Sequence, residues 1–117
     1  MNEELFKIDE NELLKADILK ALIAQLNKDL NMQIIEAELT ESFPLLALKK
    51  VVTPRVVEIC NNPEVLKNTI NRVDITEATM NKFLINTAVE YRAEKLSELF
   101  IKRCLQKVVI RNYYKEK

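Results

Sequence analysis

The sequence predicts an all-α fold, a small helical bundle with three short proline-initiated helices packed around an N-terminal helix and a long C-terminal helix. Three features indicate this fold. The 117 residues include no glycine, the residue that tight β-hairpin turns need. Each of the three prolines follows closely on a residue suited to cap a helix. Residues 74–115 contain neither glycine nor proline.

The N-terminal helix is predicted over residues 9–31, after a frayed lead-in at residues 1–8. Asp9 and Glu12 have the spacing of a capping pair. Apolar residues then recur with helical spacing and form one face, which consists of Leu19, Leu22, Ile23, Leu26 and Leu30. Residues 33–39 fit both a strand and a helix, and a helix or an extended connector is favoured because Glu and Ala are poor strand residues.

The three prolines punctuate the middle of the chain. Ser42, Thr53 and Asn62 stand just ahead of them, so that each proline falls in the first turn of a helix, where its missing N–H does no harm. The predicted helices span about 44–51, 54–61 and 63–72. They are short and rich in apolar residues, so they require tertiary packing for stability.

The C-terminal stretch from Asp74 to Lys115 is predicted to be one long helix. Asp74 and Glu77 have the spacing of a capping pair, and no stop signal follows. A helix of this length measures about 60 Å, whereas a compact domain of this size is roughly 35 Å across. The helix must therefore break, overhang, or be covered by another chain. Without glycine, no backbone position is expected to require a positive φ.

The phase of the apolar residues changes along this helix. One stripe contains Ile85, Val89, Ala93, Leu96 and Phe100, and a second contains Ile101, Cys104, Leu105, Val108 and Val109. The second stripe is rotated from the first by roughly 120–140°. We therefore expect the first half to pack within the chain and the second half to meet a partner. A break near Phe100 and a short strand at residues 108–110 are the alternatives. The predicted partner contacts are Leu99, Ile101, Leu105, Val108, Val109 and Tyr113.

A basic row follows the same helix at i, i+4 spacing and consists of Arg103, Lys107, Arg111 and Lys115. Residues 101–117 carry a net charge of +5, whereas residues 1–41 carry −6. Such a row can bind phosphates or an acidic groove. Alternatively, the basic tail packs near the acidic head, or its cations complement the helix C-terminus. Glu90, Glu94 and Glu98 form an acidic row that is typical of a solvated helix face.

The composition removes most catalytic chemistry. There is no histidine, the commonest general base and metal ligand, and no glycine-rich phosphate loop. Cys60 and Cys104 have no partner motif and are expected to be free, buried thiols. We therefore expect no catalytic residue, cofactor, metal or small-molecule substrate. The absence of a long apolar run or a leader pattern indicates a single cytoplasmic domain with no membrane span.

Two functions fit these features. The first is a non-enzymatic protein-interaction or regulatory module that forms a homodimer, or docks on a larger protein, through the C-terminal helix. The second is a small dimeric nucleic-acid-binding regulator that uses the basic row on phosphates. Binding through buried apolar area should survive high salt, whereas phosphate binding should weaken by orders of magnitude.

Overall fold

The computed structural model describes residues 16–34 and 44–115, with residues 16–17, 44 and 112–115 described by their backbone alone. All of the regular structure in these ranges is helical, which confirms the all-α class. The elements in chain order are α1 (Ala16–Leu30), α2 (Pro44–Cys60), α3 (Pro63–Val73), α4 (Glu77–Leu84), a 3-10 turn (Val89–Tyr91) and α5 (Arg92–Lys115).

Helix α5 is the central element of the bundle. Its 24 residues span about 36 Å at 1.5 Å per residue, close to the longest dimension of the fold, 38 Å. Helices α1, α2, α3 and α4 all contact it. Because α5 extends from one end of the bundle to the other, its whole length is available for packing within the chain.

The change of apolar phase along α5 is matched by a change of neighbour. In its first half, Ser97 and Glu98 hydrogen-bond to Thr53 and Lys49 of α2. In its second half, Lys107 hydrogen-bonds to Asp29 of α1. The expectation that the second stripe needs a partner was wrong for its buried members, because different helices of the same chain pack on successive halves of α5. These buried members are Ile101, Cys104, Leu105 and Val108. The helix is continuous through Phe100, and residues 108–110 are helical, so neither the alternative of a break nor the alternative of a strand at these positions is found.

The long C-terminal helix is instead interrupted between α4 and α5. Residues 85–88 are not helical, and Asn86 adopts φ 65°. Asp74 is not the N-cap of the next helix, as the capping pair predicted. It is the left-handed C-cap of α3, and its N–H donates to the carbonyl of Ile70. Thr76 caps α4 by accepting a hydrogen bond from the N–H of Thr79.

The middle segment forms two helices and not three. Pro63 begins α3 as predicted, with the Asn62 side chain accepting from the N–H groups of Glu64 and Val65. Pro54, however, lies inside α2. The buried residues of α2 form one stripe that extends to both sides of this proline, namely Leu48, Val52, Val56 and Ile59. Burying four such side chains contributes about 1.5–3 kcal/mol each and outweighs the roughly 3 kcal/mol that an internal proline costs.

The chain uses Asn and Asp where other proteins use glycine. Asn31, Asp74 and Asn86 have φ values of 51°, 67° and 65°. The expectation of no positive φ was therefore wrong, because short polar side chains tolerate the left-handed region. After α1, the Asn27 side chain accepts from the N–H of Ile34 at 2.6 Å and so fixes residues 31–34 as a non-helical turn. The Asp9–Glu12 cap, Ser42 and residues 35–39 lie outside the described residues.

Candidate functional site

The predicted partner contacts on α5 lie mainly inside the monomer. Leu99, Ile101 and Val108 have no exposed surface, and Leu105 is 5% exposed. These four residues belong to the hydrophobic core of this chain, so their assignment to a partner surface is corrected. Val109 is 39% exposed and remains on the surface. The side chain of Tyr113 lies outside the described residues.

The first cation of the basic row, Arg103, binds the end of α3. Its guanidinium donates to the carbonyl of Asp74 at 3.0 Å, to the Asp74 carboxylate at 2.9 Å and to Gln106 Oε1 at 2.7 Å. Cations beside the last carbonyls of a helix interact favourably with its dipole. Arg103 is therefore used to dock α5 against the end of α3.

Lys107 belongs to a buried polar cluster between α1 and α5. Its ammonium donates to Asp29 Oδ2 at 3.0 Å and to the carbonyl of Arg72 at 2.8 Å. Asp29 is 3% exposed, and the same carboxylate oxygen accepts from Gln25 Nε2 at 2.9 Å and from Cys104 Sγ at 3.5 Å. A buried carboxylate needs this degree of pairing, because an unpaired buried charge costs several kcal/mol.

Arg111 continues the same set of contacts by donating to Gln25 Oε1 at 3.2 Å. The contacts of Lys107 and Arg111 show that α1 and α5 are antiparallel, since the earlier residue of α1 meets the later residue of α5. They also bring Asp29, one of the acids of residues 1–41, against the basic C-terminal half of α5. The side chain of Lys115 lies outside the described residues. The three described cations of the row are thus all bound within the chain.

The acidic row is also partly used for packing. Lys49 of α2 bridges Glu98 at 2.7 Å and Glu94 at 2.9 Å. Its hydrogen bonds to Glu98 and then to Glu94 raise the pKa of the Lys49 ammonium above its ordinary value of 10.5. Glu94 and Glu98 therefore hold α2 against α5. Glu90 and Glu94 are exposed, as expected of a solvated face, and Glu98 is partly buried.

Both cysteines are free, as expected. Cys104 is fully buried, and this burial, followed by the nearby Asp29 carboxylate, raises the pKa of its thiol well above the ordinary 9.0. Burial also raises the pKa of Cys60, which is only half-buried. Nucleophilic cysteines need a lowered pKa, so neither thiol has the environment of a catalytic one.

Burial of the Cys104 thiol makes stability depend on pH in the alkaline range. Because the folded pKa lies above the unfolded value, the stabilisation is complete below pH about 9 and is lost as the pH rises further. Between about pH 8 and pH 10, the wild type should lose about 1.4 kcal/mol more of unfolding free energy than Cys104→Ala. Urea unfolding at the two pH values measures this difference. Cys60→Ala is the control, and it should still show the part of the loss in unfolding free energy that Cys104 causes. Equal losses in the wild type and Cys104→Ala would contradict the assignment of this pH dependence to the Cys104 thiol.

One concave feature of the described surface is an apolar groove at the opposite end of α5 from Arg111. Its volume is about 780 Å³, within the range of binding clefts. The C-terminal end of α2, the middle of α3, the end of α4, residues 85–90 and the first turns of α5 form its walls. The apolar lining residues on the four helices are Val57, Cys60, Leu66, Met80, Leu84, Ala93 and Leu96.

The groove exists because α4 and α5 are separate helices. Phe83 anchors α4 to α5 through the ammonium groups of Lys95 and Lys102, which lie 5.3 and 5.4 Å from its ring centre. Residues 85–91 then form one rim of the groove. A hydrogen bond from the N–H of Thr87 to the carbonyl of Leu84 closes the turn that begins this rim. A continuous helix would have removed this rim.

Residues 85–91 carry the most exposed large apolar side chains of the described chain. Ile85 is 69% exposed, Val89 is 77% exposed and Tyr91 is 57% exposed. The prediction that Ile85 and Val89 belong to the core stripe of one long helix was therefore wrong. The groove was not predicted from the sequence, and the signal that could have indicated it is Asn86, a residue tolerant of the left-handed conformation within an apolar stretch.

Neither a metal centre nor a membrane span occurs in the described part of the chain. Within these residues there is no group of three or more Cys, Asp or Glu side chains placed to hold a metal ion. None of the described helices is long and apolar enough to cross a bilayer. No family model matches the sequence, and comparisons with curated proteins and with solved structures also gave no match.

Proposed function

We propose that this chain is a non-enzymatic protein-interaction module that binds an apolar segment of a protein in the groove between α2, α4 and α5. The observation that carries the proposal is that Ile85 and Val89, which are largely exposed, both line the same cleft. Exposed apolar side chains that cluster beside a cleft mark interaction sites more often than singly scattered ones do. The C-terminal half of α5, the docking surface expected from the sequence, is replaced in this proposal by the groove.

The chemistry of the groove favours a protein ligand. Most of the lining residues on its helical walls are apolar, and one of them, Met80, is flexible and can adapt to different apolar shapes. The two charged lining residues, Glu90 and Arg92, are exposed and have opposite signs. Such a surface suits the apolar side chains of a partner, with polar contacts at the rim.

The nucleic-acid alternative receives less support. Arg103, Lys107 and Arg111 make hydrogen bonds within the chain, so phosphate binding would have to compete with Asp74, Asp29 and Gln25. The whole sequence also has no net charge, whereas nucleic-acid-binding domains usually carry a basic surface.

An unbiased selection of displayed helical peptides against the full chain tests the proposal. The two discriminating variants lie on α2, where Val57 in the groove is 44% exposed and Leu46 outside it is 46% exposed. The selected peptides should bind Val57→Glu at least about tenfold more weakly, because a charge is placed in their apolar contact. They should bind Leu46→Glu as they bind the wild type. Peptides that bind Val57→Glu undiminished, or a selection that enriches none, would overturn the assignment of the groove.

A further inference from the structure

We infer that the segment that fills the groove is residues 85–91 of a second copy of this chain, so that each copy of a twofold dimer places its exposed rim in the groove of the other. This inference rests on the proposed docking function of the groove and adds the identity of the occupant. The sequence predicted a homodimer through the C-terminal helix. This inference keeps the homodimer and places its interface at the groove.

The first reason is that the exposed apolar side chains of residues 85–91 and the groove belong to the same surface patch. In a twofold dimer, one patch contacts its own copy, so it must supply both members of every contact. Ile85 and Val89 line the cleft and are largely exposed, whereas Leu66, Met80 and Leu84 line the same cleft and are partly buried. The patch therefore contains both an apolar ligand and an apolar site.

The second reason is the charge of the patch. Glu90 and Arg92 flank the exposed side chain of Tyr91, and no ion pair within the described residues involves either of them. In a twofold arrangement, Glu90 of one copy can meet Arg92 of the other, and the contact occurs twice. The whole chain has zero net charge, so two copies approach without net repulsion.

Charge exchange at the rim tests the inference on the full-length protein. The wild type, Glu90→Arg, Arg92→Glu and the 1:1 mixture of the two variants are compared by sedimentation equilibrium from about 1 μM to about 1 mM, a range that covers weak and moderate affinities. The wild type should form dimers. Each variant alone should self-associate at least about tenfold more weakly, because like charges then face each other twice. The mixture should regain wild-type affinity, since opposite charges meet again in the heterodimer.

The outcomes separate this inference from the proposed function. A wild type that stays monomeric throughout the range overturns the second copy as occupant, and the groove assignment still stands if selected peptides bind it. Dimers that Leu46→Glu disrupts and Val57→Glu leaves intact also overturn the second copy as occupant, while the peptide selection still decides the groove assignment. Charge variants that associate as tightly as the wild type overturn the proposed twofold arrangement. Wild-type affinity that returns only in the 1:1 mixture supports the twofold arrangement. Misfolding of either variant cannot produce this result.

Discussion

Val108→Asp should unfold the protein, whereas Val109→Asp, one residue further along the same helix, should leave it folded. Val108 has no exposed surface, and Val109 is 39% exposed. An aspartate at residue 108 places an unpaired charge in the core and should lower the unfolding free energy by more than about 4 kcal/mol, a large part of the 5–15 kcal/mol typical of a domain. At residue 109 the carboxylate reaches water, and the change should stay below about 1 kcal/mol.

Thermal and urea unfolding followed by circular dichroism measures the difference between the two variants. Light scattering on the same samples shows whether the chains stay folded but change their assembly. If α5 met a partner through this stripe, Val108→Asp would give a folded monomer. That result, or equal destabilisation by the two variants, would contradict the burial of the stripe within one chain.

Loss of the Lys107 ammonium should have the second large effect. In Lys107→Met, the carboxylate of Asp29 remains buried and loses the cation 3.0 Å away. Breaking a buried pair from one side costs about 3–5 kcal/mol, because the remaining charge is uncompensated. Adding Asp29→Leu removes that charge, and the double variant should recover most of the lost stability.

Lys49→Met is the matched control for this prediction, since it also removes a lysine that bridges two helices. Its partners Glu94 and Glu98 have side chains 51% and 28% exposed, so both carboxylates can reach water. The expected cost is about 1 kcal/mol or less. Urea unfolding of the wild type and these three variants gives the comparison. A Lys107→Met variant no less stable than Lys49→Met would show that the Asp29 cluster does not hold α1 against α5.

Local sequence patterns correctly predicted the helices in which apolar spacing and capping residues agree with the packing seen in the structure. The apolar face of α1 is buried as expected, with Leu22, Leu26 and Leu30 fully inaccessible. Asn62 and Pro63 begin α3 as a cap and first-turn proline should. In these elements the apolar period and the capping residues indicate the same answer, so no tertiary contact had to be known.

Pro54 and Asp74 show where local signals fail. Each has two common structural uses, and the local sequence does not choose between them. Pro54 follows a good capping residue, but the buried stripe of α2 continues past it and keeps the helix intact. Asp74 can begin a helix or end one, and Arg103, 29 positions later, binds its carboxylate as the end of α3. Only contacts between distant parts of the chain decide these cases.

The groove could not be predicted because it depends on the break after α4. As one helix, residues 74–115 place Ile85 and Val89 on the same stripe as Leu96 and Phe100. The left-handed conformation of Asn86 changes the direction of the chain, so the first two become exposed while the last two stay buried. The choice of Leu99 through Val108 as partner contacts had a related cause, since the sequence alone did not show that α1 covers the second half of α5.

The most direct test of this account is native-state hydrogen exchange of Val57→Glu, the variant with a charge in the groove, under conditions where sedimentation shows it to be monomeric. In the structure, this chain alone covers the apolar surface of α5. The amides of residues 101–108 should then exchange only through global unfolding, with the same free energy as the amides of the α1 and α2 cores. Fast exchange at residues 101–108, together with full protection of α1 and α2, would contradict it, because the second half of α5 would then need another molecule to stay folded.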